Sequence, residues 1–512
     1  MSDHDTGQAD LTPDDLKQAA VSGVRWATAA RVASEIVSLA SAVILARLIA
    51  PAEFGEAVVP LIFVPLAVIL TFEGFGSALV QRKAVDQDHI EAAMLASLVS
   101  GVLLSATTFL LADPVGGRLF GDQAAQLLQM VSPIFVLASA GVVSRSLLWR
   151  RLDFRRINLI EVASLTFGAV SAVAMAIAGL EAEAIVLGAL FANVVTATML
   201  LVSEPPPMPR WHHVALREVM GFGLPASAAG LTYVAISNAT LAVAAARLSA
   251  LQVGLYWRAF QVGVSWQSKI SNIMMQLALP IYSRTTDLDE LRRYHERATR
   301  IHAAVLLPLL SFLIVLAPDL IPWAFGQPWA PAAGAIQILA VAGMIAAVLT
   351  GYPQVLLAAG HPRALFNFNM ILLTLFGVTS WIAAPYGITA LSLSVVGVHV
   401  VMIVAVYGVL FNRFLGIPTG RMVSDIIPAA VCSVALLAVT FPFADLLHNA
   451  GVPVPVLSVL VGVVGTLVYA TGLRGFFPVV WNDVVLLVVR VMPSGVWAVR
   501  VRRFAAPGAA EA

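Results

Sequence analysis

Stretches of about 20 mostly apolar residues recur along the whole chain and constrain its fold more than any other feature. A segment of that length crosses a bilayer as an α-helix, in which every backbone polar group is satisfied internally. The sequence predicts fourteen such spans, at residues 24–47, 57–76, 91–112, 124–144, 158–179, 183–202, 219–246, 256–281, 301–317, 333–351, 364–384, 387–411, 426–447 and 454–473. We therefore expect an all-α polytopic membrane protein.

The composition argues against the common soluble classes of protein. Apolar residues make up 59% of the chain and charged residues 12%, about half the charged share of a soluble domain. The single cysteine, Cys432, excludes an internal disulfide and a cysteine-based metal cluster. The sequence has no phosphate-binding glycine loop, catalytic triad or nucleotide motif, and its connections are too short for a catalytic domain. We expect a protein that is not an enzyme, with no cofactor or metal.

Lysine and arginine are distributed unevenly between the two sides of the predicted bundle. The even-numbered connections and the tails hold 24 of the 30, and four lie on the opposite side. Because cytoplasmic loops carry the excess, we expect both termini in the cytoplasm. The predicted order is a tail at 1–22, an N-lobe of six helices at 23–218, a C-lobe of six helices at 219–423, two further helices at 424–474, and a cytoplasmic or interfacial tail at 475–512.

A short internal repeat relates the two predicted lobes. Residues 46–55 read Ala-Arg-Leu-Ile-Ala-Pro-Ala-Glu-Phe-Gly, and residues 246–254 read Ala-Arg-Leu-Ser-Ala-Leu-Gln-Val-Gly. Six predicted helices separate the copies, so the halves have parallel topology. Parallel repeats predict two six-helix bundles related by an axis along the membrane normal, with the substrate path between them. Chance similarity between two apolar segments is the alternative.

Polar residues recur at helical spacing on spans 1, 7 and 8, and a polar face turned to lipid would be costly. The cations among them are Arg31, Arg258 and Lys269. The uncharged members of the predicted cavity lining are Ser34, Ser38, Tyr233, Asn238, Gln261, Ser265, Asn272 and Gln276. Two simpler interpretations stay open: Arg31 and Glu35 are spaced as an i,i+4 ion pair, and Arg258 is near enough to a helix end to snorkel. Lys269 lies near the membrane midplane, with no acidic residue within four positions in the sequence.

Several motifs resemble those of bacterial polysaccharide flippases of the Wzx type, in the multidrug/oligosaccharidyl-lipid/polysaccharide exporter superfamily. The resemblance covers residues 20–415, and the stretch Gly74-Phe75-Gly76-Ser77-Ala78-Leu79-Val80-Gln81-Arg82-Lys83 is the most specific. The other matches are 44–55, the basic run 145–154 with Glu161, 254–259, 280–284, 317–331, 337–339 and 360–363.

This resemblance implies two bundles in a V shape plus two C-terminal helices, in a bacterial inner membrane. Family members move oligosaccharides carried on undecaprenyl diphosphate to the outer leaflet by alternating access, for lipopolysaccharide, capsule or exopolysaccharide. Spans 1, 2, 7 and 8 line their cavity, so the resemblance makes Arg31, Arg258 and Lys269 the positions that meet the diphosphate. Glu35 is the best candidate for ion coupling. The implied partners are the lipid-linked oligosaccharide, membrane lipid and a polysaccharide polymerase, and no nucleic acid.

Four alternative functions fit the sequence less well than this one. A drug or cation antiporter of the same superfamily would be expected to carry acidic residues in the cavity, where basic residues outnumber Glu35. A lipid II flippase would carry more cavity arginines, and span 2 has no basic residue before Arg82. The short connections argue against a membrane polysaccharide polymerase or ligase, and the polar faces argue against a structural scaffold.

Overall fold

The protein is described here from a computed structural model that covers residues 13–82, 84–265, 267–271, 288–416 and 419–491. Every regular element within these ranges is a helix. The prediction of an all-α polytopic membrane protein is therefore confirmed.

Ten helices in the described part of the chain are long and apolar enough to cross a membrane. They are Gln87–Phe120, Asp122–Arg150, Phe154–Ile177, Ala182–Ser203, Asp289–Phe325, Ala332–Ala358, Pro362–Tyr386, Ile388–Phe414, Val423–Asn449 and Val454–Phe476. Each coincides with one predicted span. The described residues of the predicted spans at 24–47, 57–76, 219–246 and 256–281 fall on helices outside these ten, and residues 266 and 272–281 lie outside the described residues. The count of fourteen therefore stays a prediction.

The chain divides into two compact units, and the first contains residues 1–238 and 249–254. Its helices are α1 (Pro13–Leu48), α2 (Pro51–Val68), α3 (Ser77–Gln81), α4 (Gln87–Leu111), α5 (Arg118–Phe120), α6 (Asp122–Val131), α7 (Ile134–Arg150), α8 (Phe154–Ile177) and α9 (Ala182–Ser203), with the first part of α10 (His213–Arg247) and the start of α11 (Ala250–Phe260). Small residues let these helices approach closely. A Cβ on Gly168 of α8 would lie 2.6 Å from the Cβ of Ala192 on α9, and one on Gly188 would lie 2.6 Å from the Cβ of Ala172.

The second unit contains residues 239–248 and 255–512. After α11 its helices are α12 (described at 267–271), α13 (Leu288–Phe325), α14 (Ala332–Leu349), α15 (Tyr352–Ala358), α16 (Pro362–Ala383), α17 (Ile388–Ile403), α18 (Phe411–Leu415), α19 (Thr419–Asn449), α20 (Val454–Phe476) and α21 (Pro478–Val491). Arg300 of α13 is 3.1 Å from Asp425 of α19 and 3.3 Å from Asp483 of α21. These ion pairs, with the Tyr469 hydroxyl donating to the Ala304 carbonyl at 2.9 Å, hold the last three helices on α13.

In the described part of the chain, four segments are π-helical and interrupt the α-helical spans. They are Ile69–Gly76, Ala112–Gly117, Gln261–Ser265 and Val404–Leu410. The first lies in predicted span 2 and the third in predicted span 8. A π turn takes one more residue than an α turn and often occurs at functional sites. It therefore changes the direction in which the following side chains point.

Candidate functional site: the polar faces of the predicted transport path

The polar residues of predicted span 8 do not lie on one regular α-helix. Residues 250–260 are α-helical, Gln261–Ser265 form a π turn, and 267–271 are α-helical again. The helical spacing of these polar residues is therefore interrupted at this turn, because hydropathy and spacing do not reveal an added residue. Gln261, Ser265 and Lys269 are each half-buried. Asn272 and Gln276 lie outside the described residues.

Arg258 is enclosed by aromatic rings. Its guanidinium carbon is 4.7 Å from the ring centroid of Phe325 and 5.1 Å from those of Trp257 and Trp329. The residue is 4% exposed, and Trp329 is fully buried. Cation–π attraction of this kind stabilises a desolvated charge. Arg258 therefore holds the end of α13 to α11. Its contact with a substrate diphosphate stays a prediction.

Lys269 lies in the described part of α12, residues 267–271, whose opposite side makes a buried polar contact. The Gln267 side chain donates to the Ser271 hydroxyl at 2.6 Å, and the Thr350 hydroxyl of the residue after α14 is 3.2 Å from the same oxygen. Gln267 and Ser271 are each 3% exposed. Since Lys269 is two residues from each of them, it points to the opposite side of the helix. The buried contact fixes the orientation of the lysine.

Predicted span 1 places its ionic residues together. The Arg31 Nε atom is 3.5 Å from the Glu35 carboxylate one turn later on α1, and their side chains are 50% and 32% exposed. This is the i,i+4 ion pair considered from the sequence. Ser34 and Ser38 lie beside it and are half-buried.

The polar residues of predicted span 7 lie near the middle of α10. Tyr233 is 62% exposed, and the Asn238 side chain donates to the Val234 carbonyl of its own helix at 3.0 Å. Arg31, Tyr233 and Asn238 belong to the first unit, and Arg258 and Lys269 to the second. The cations are therefore described within separate units, and a ladder formed by all three stays a prediction.

An ionic cluster at the start of α10 was not predicted from the sequence. The Glu218 carboxylate accepts from Arg82 at 2.6 Å and from His89 Nε2 at 3.0 Å. We call Arg82, His89 and Glu218 the latch. The Asp86 carboxylate caps α4 by accepting from the His89 backbone N–H at 3.0 Å and also contacts His89 Nδ1. Both ring nitrogens of His89 therefore face carboxylates.

The pKa values of the two carboxyls reflect these contacts. Hydrogen bonds from His89 and then Arg82 hold the pKa of the Glu218 carboxyl below its ordinary value. The bond from the His89 backbone N–H has the largest effect on Asp86 and lowers its pKa. Both carboxyls are therefore anionic at neutral pH and bind the cations opposite them.

A second histidine extends this cluster along the connection before α10. His212 Nε2 is 2.8 Å from the Glu91 carboxylate, which also accepts from Gln87 at 2.8 Å. Within the described residues, no group of three or more histidines, cysteines or acidic residues has the arrangement of a metal site. The cluster is an ionic contact between the start of α4 and the start of α10.

Comparison with known proteins gives matches over most of the chain. A family model described as "Polysaccharide biosynthesis protein" matches residues 44–334. The lipopolysaccharide biosynthesis protein WzxC of Escherichia coli (strain K12) is 25% identical over 365 residues, 70% of this chain and 74% of that protein. The succinoglycan biosynthesis transport protein ExoT of Rhizobium meliloti (strain 1021) is 24% identical over 368 residues, again 70% and 74%. The solved structure of the lipid II flippase MurJ, inward closed, matches with a TM-score of 0.70 and 12% identity over 87% of this chain and 98% of that chain, which shows a shared fold.

Proposed function

The chain belongs to the polysaccharide biosynthesis protein family, and we propose that it moves an undecaprenyl-diphosphate-linked oligosaccharide from the inner to the outer leaflet of a bacterial inner membrane. The observation that carries this proposal is the family match over more than half of the chain. The names of the similar proteins, a lipopolysaccharide biosynthesis protein and a succinoglycan transport protein, support surface polysaccharide as the product.

The chemistry of the predicted path fits an anionic headgroup. A diphosphate needs cationic donors along its route, because burying a bare charge in a bilayer is prohibitive. Lys269 supplies a half-buried cation that its own helix orients, and Arg31 supplies a half-exposed one. An inside-negative membrane potential also favours outward movement of an anion, by about 2.3 kcal/mol per charge per 100 mV. These features support transport without hydrolysis of a nucleotide.

The experiment that tests this proposal is deletion of the gene, with complementation by the intact chain. We expect loss of surface polysaccharide and accumulation of lipid-linked repeat units on the cytoplasmic leaflet. Normal surface polysaccharide together with new sensitivity to cationic drugs would contradict the proposal and favour the antiporter. Lethal loss of peptidoglycan precursor export would favour the lipid II flippase.

Three further parts of the proposal concern the partner protein, the topology and ion coupling. A polysaccharide polymerase is the proposed partner that consumes the exported repeat unit, since a flippase of this kind delivers a substrate and releases no polymer. Both termini are proposed to lie in the cytoplasm, on the basis of the distribution of arginine and lysine. Coupling to an ion through Glu35 is the third element, and its ion pair with Arg31 offers a contact that a cation or proton would break.

A further inference from the structure

The glycines that end the two repeated segments, Gly55 and Gly254, pack against each other's helices. A Cβ on Gly55, in the second turn of α2, would overlap the carbonyl oxygen of Ala250. A Cβ on Gly254, in the second turn of α11, would overlap the carbonyl oxygen of Pro51 and lie 3.0 Å from the Gly55 nitrogen. The contact is reciprocal, and it is made of backbone on both sides. A side chain at either position therefore cannot be accommodated by a rotamer change.

A second reciprocal pair lies at the other end of the same predicted span. A Cβ on Gly223 of α10 would lie 2.7 Å from the Gly74 carbonyl oxygen and 3.2 Å from the Phe75 ring. A Cβ on Gly74 would overlap the Ser227 hydroxyl and lie 3.4 Å from the Gly223 carbonyl oxygen. The Ser227 hydroxyl donates to the Leu70 carbonyl at 3.2 Å. The latch lies on the same side, one to two turns before Gly223 on α10.

The two pairs lie near the two ends of predicted span 2. Gly55 and Gly74 are 19 residues apart, and 1.5 Å per residue gives at most about 28 Å, since residues 69–76 of that segment are π-helical. This length is close to the hydrocarbon thickness of a bilayer, about 30 Å. All four glycines belong to the first unit, in which predicted span 2 packs near both of its ends against α10 and α11. An oligosaccharide headgroup cannot pass a contact between two backbones.

We propose that the Gly55–Gly254 and Gly74–Gly223 pairs are the two seals of the transport path, and that each must separate in turn and close again during transport. This inference rests on the proposed function. It also explains why three of the four glycines stand in the motifs that the sequence shares with flippases, at 44–55, 74–83 and 254–259. Absence of a side chain at these positions permits tight closure with no strain on opening.

The test measures the two seals separately with buried reporter cysteines. In a Cys432→Ala background, Val253→Cys reports on the first pair and Val219→Cys on the second, since these valines are 2% and 0% exposed. Labelling of purified protein by N-ethylmaleimide gives the rate at which each reporter is uncovered. The measurement needs no substrate and no assumption about which end faces the cytoplasm.

We expect alanine at one pair to expose only the reporter beside that pair. Gly55→Ala and Gly254→Ala should raise labelling of Val253→Cys about tenfold or more, because overpacking disfavours the closed contact. Gly74→Ala and Gly223→Ala should do the same for Val219→Cys. Gly221→Ala is the matched control, since it lies on α10 with open space around its Cβ position, and should change neither rate.

A second substitution that restores the Gly74–Gly223 contact distinguishes a weakened contact from a general loss of folding. Ser227→Gly removes the hydroxyl that a Cβ on Gly74 would meet, so it should return labelling in the Gly74→Ala variant to the parent rate. Unchanged labelling in all four alanine variants, or both reporters rising together, would overturn the proposal. If labelling follows the expected pattern while the deletion strain keeps its surface polysaccharide, the seals stand and the proposed substrate is wrong.

Discussion

Lys269 is the residue on which the anion path depends most. It is half-buried, and the buried bond between Gln267 and Ser271 fixes the direction in which it points. Lys269→Met keeps the length of the stem and removes the charge, so we expect export of surface polysaccharide to be lost. Lys269→Arg should retain part of it, because charge survives with altered donor geometry. Surface polysaccharide at matched protein level is the measurement, and full export by the Met variant would contradict the role.

Arg258 is expected to act through stability. Its charge stacks against three rings, which contributes about 2 kcal/mol when desolvated. Arg258→Lys keeps the charge but loses the planar contact, so the melting temperature of the purified protein should fall. Arg31→Lys is the control, because an exposed ion pair contributes only about 0–1 kcal/mol. An unchanged melting temperature for Arg258→Lys would leave substrate binding as the better explanation of this arginine.

Among the elements, the latch fixes the start of α10 to the connection before α4. Glu218→Gln removes the charge that both Arg82 and His89 bind, so the variant should melt at a lower temperature than the parent at pH 7. Because the pKa of Glu218 is lowered in the folded protein, its contribution is complete above the ordinary value of 4.5 and is lost as pH falls through the folded value. The difference between the two proteins should therefore disappear in acid.

The control for this experiment is Glu161→Gln, which alters a looser ion pair with Arg145 at 3.6 Å. It should change the melting temperature little at any pH. A Glu218→Gln variant that melts with the parent at pH 7, or a difference that grows in acid, would contradict the role of the latch.

The elements also show what the sequence could predict. Hydropathy located ten of the spans, because the membrane demands a fixed length of apolar helix. It could not locate the π turn at Gln261–Ser265, since the same residues satisfy an α-helical pattern. The latch was missed because His89 and Glu218 are 129 positions apart. The Gly55–Gly254 contact was missed for the same reason, although each glycine ends one of the two repeated segments.

At the scale of the whole molecule, the prediction concerns topology. The 24 basic residues on one side of the predicted bundle predict that both termini lie in the cytoplasm. A reporter fused after Arg503 that is active only inside the cell should therefore be active, and one that is active only in the periplasm should be silent. A fusion after Gly451, in the connection between α19 and α20, is the control with the opposite expected side, because thirteen predicted spans precede it and fourteen precede Arg503. Periplasmic activity after Arg503 would reject the fourteen-span arrangement.

The π turn that follows α11 has a consequence for comparing this chain with its relatives. Such a turn is what a single inserted residue leaves in an α-helix whose two ends stay in place. A relative without the insertion would need a one-residue gap within 261–265 for its later residues to match those of this chain. An ungapped alignment would pair Lys269 with a neighbour displaced by about 100° around the helix. Evolutionary conservation of this lysine can be judged only after that gap is placed.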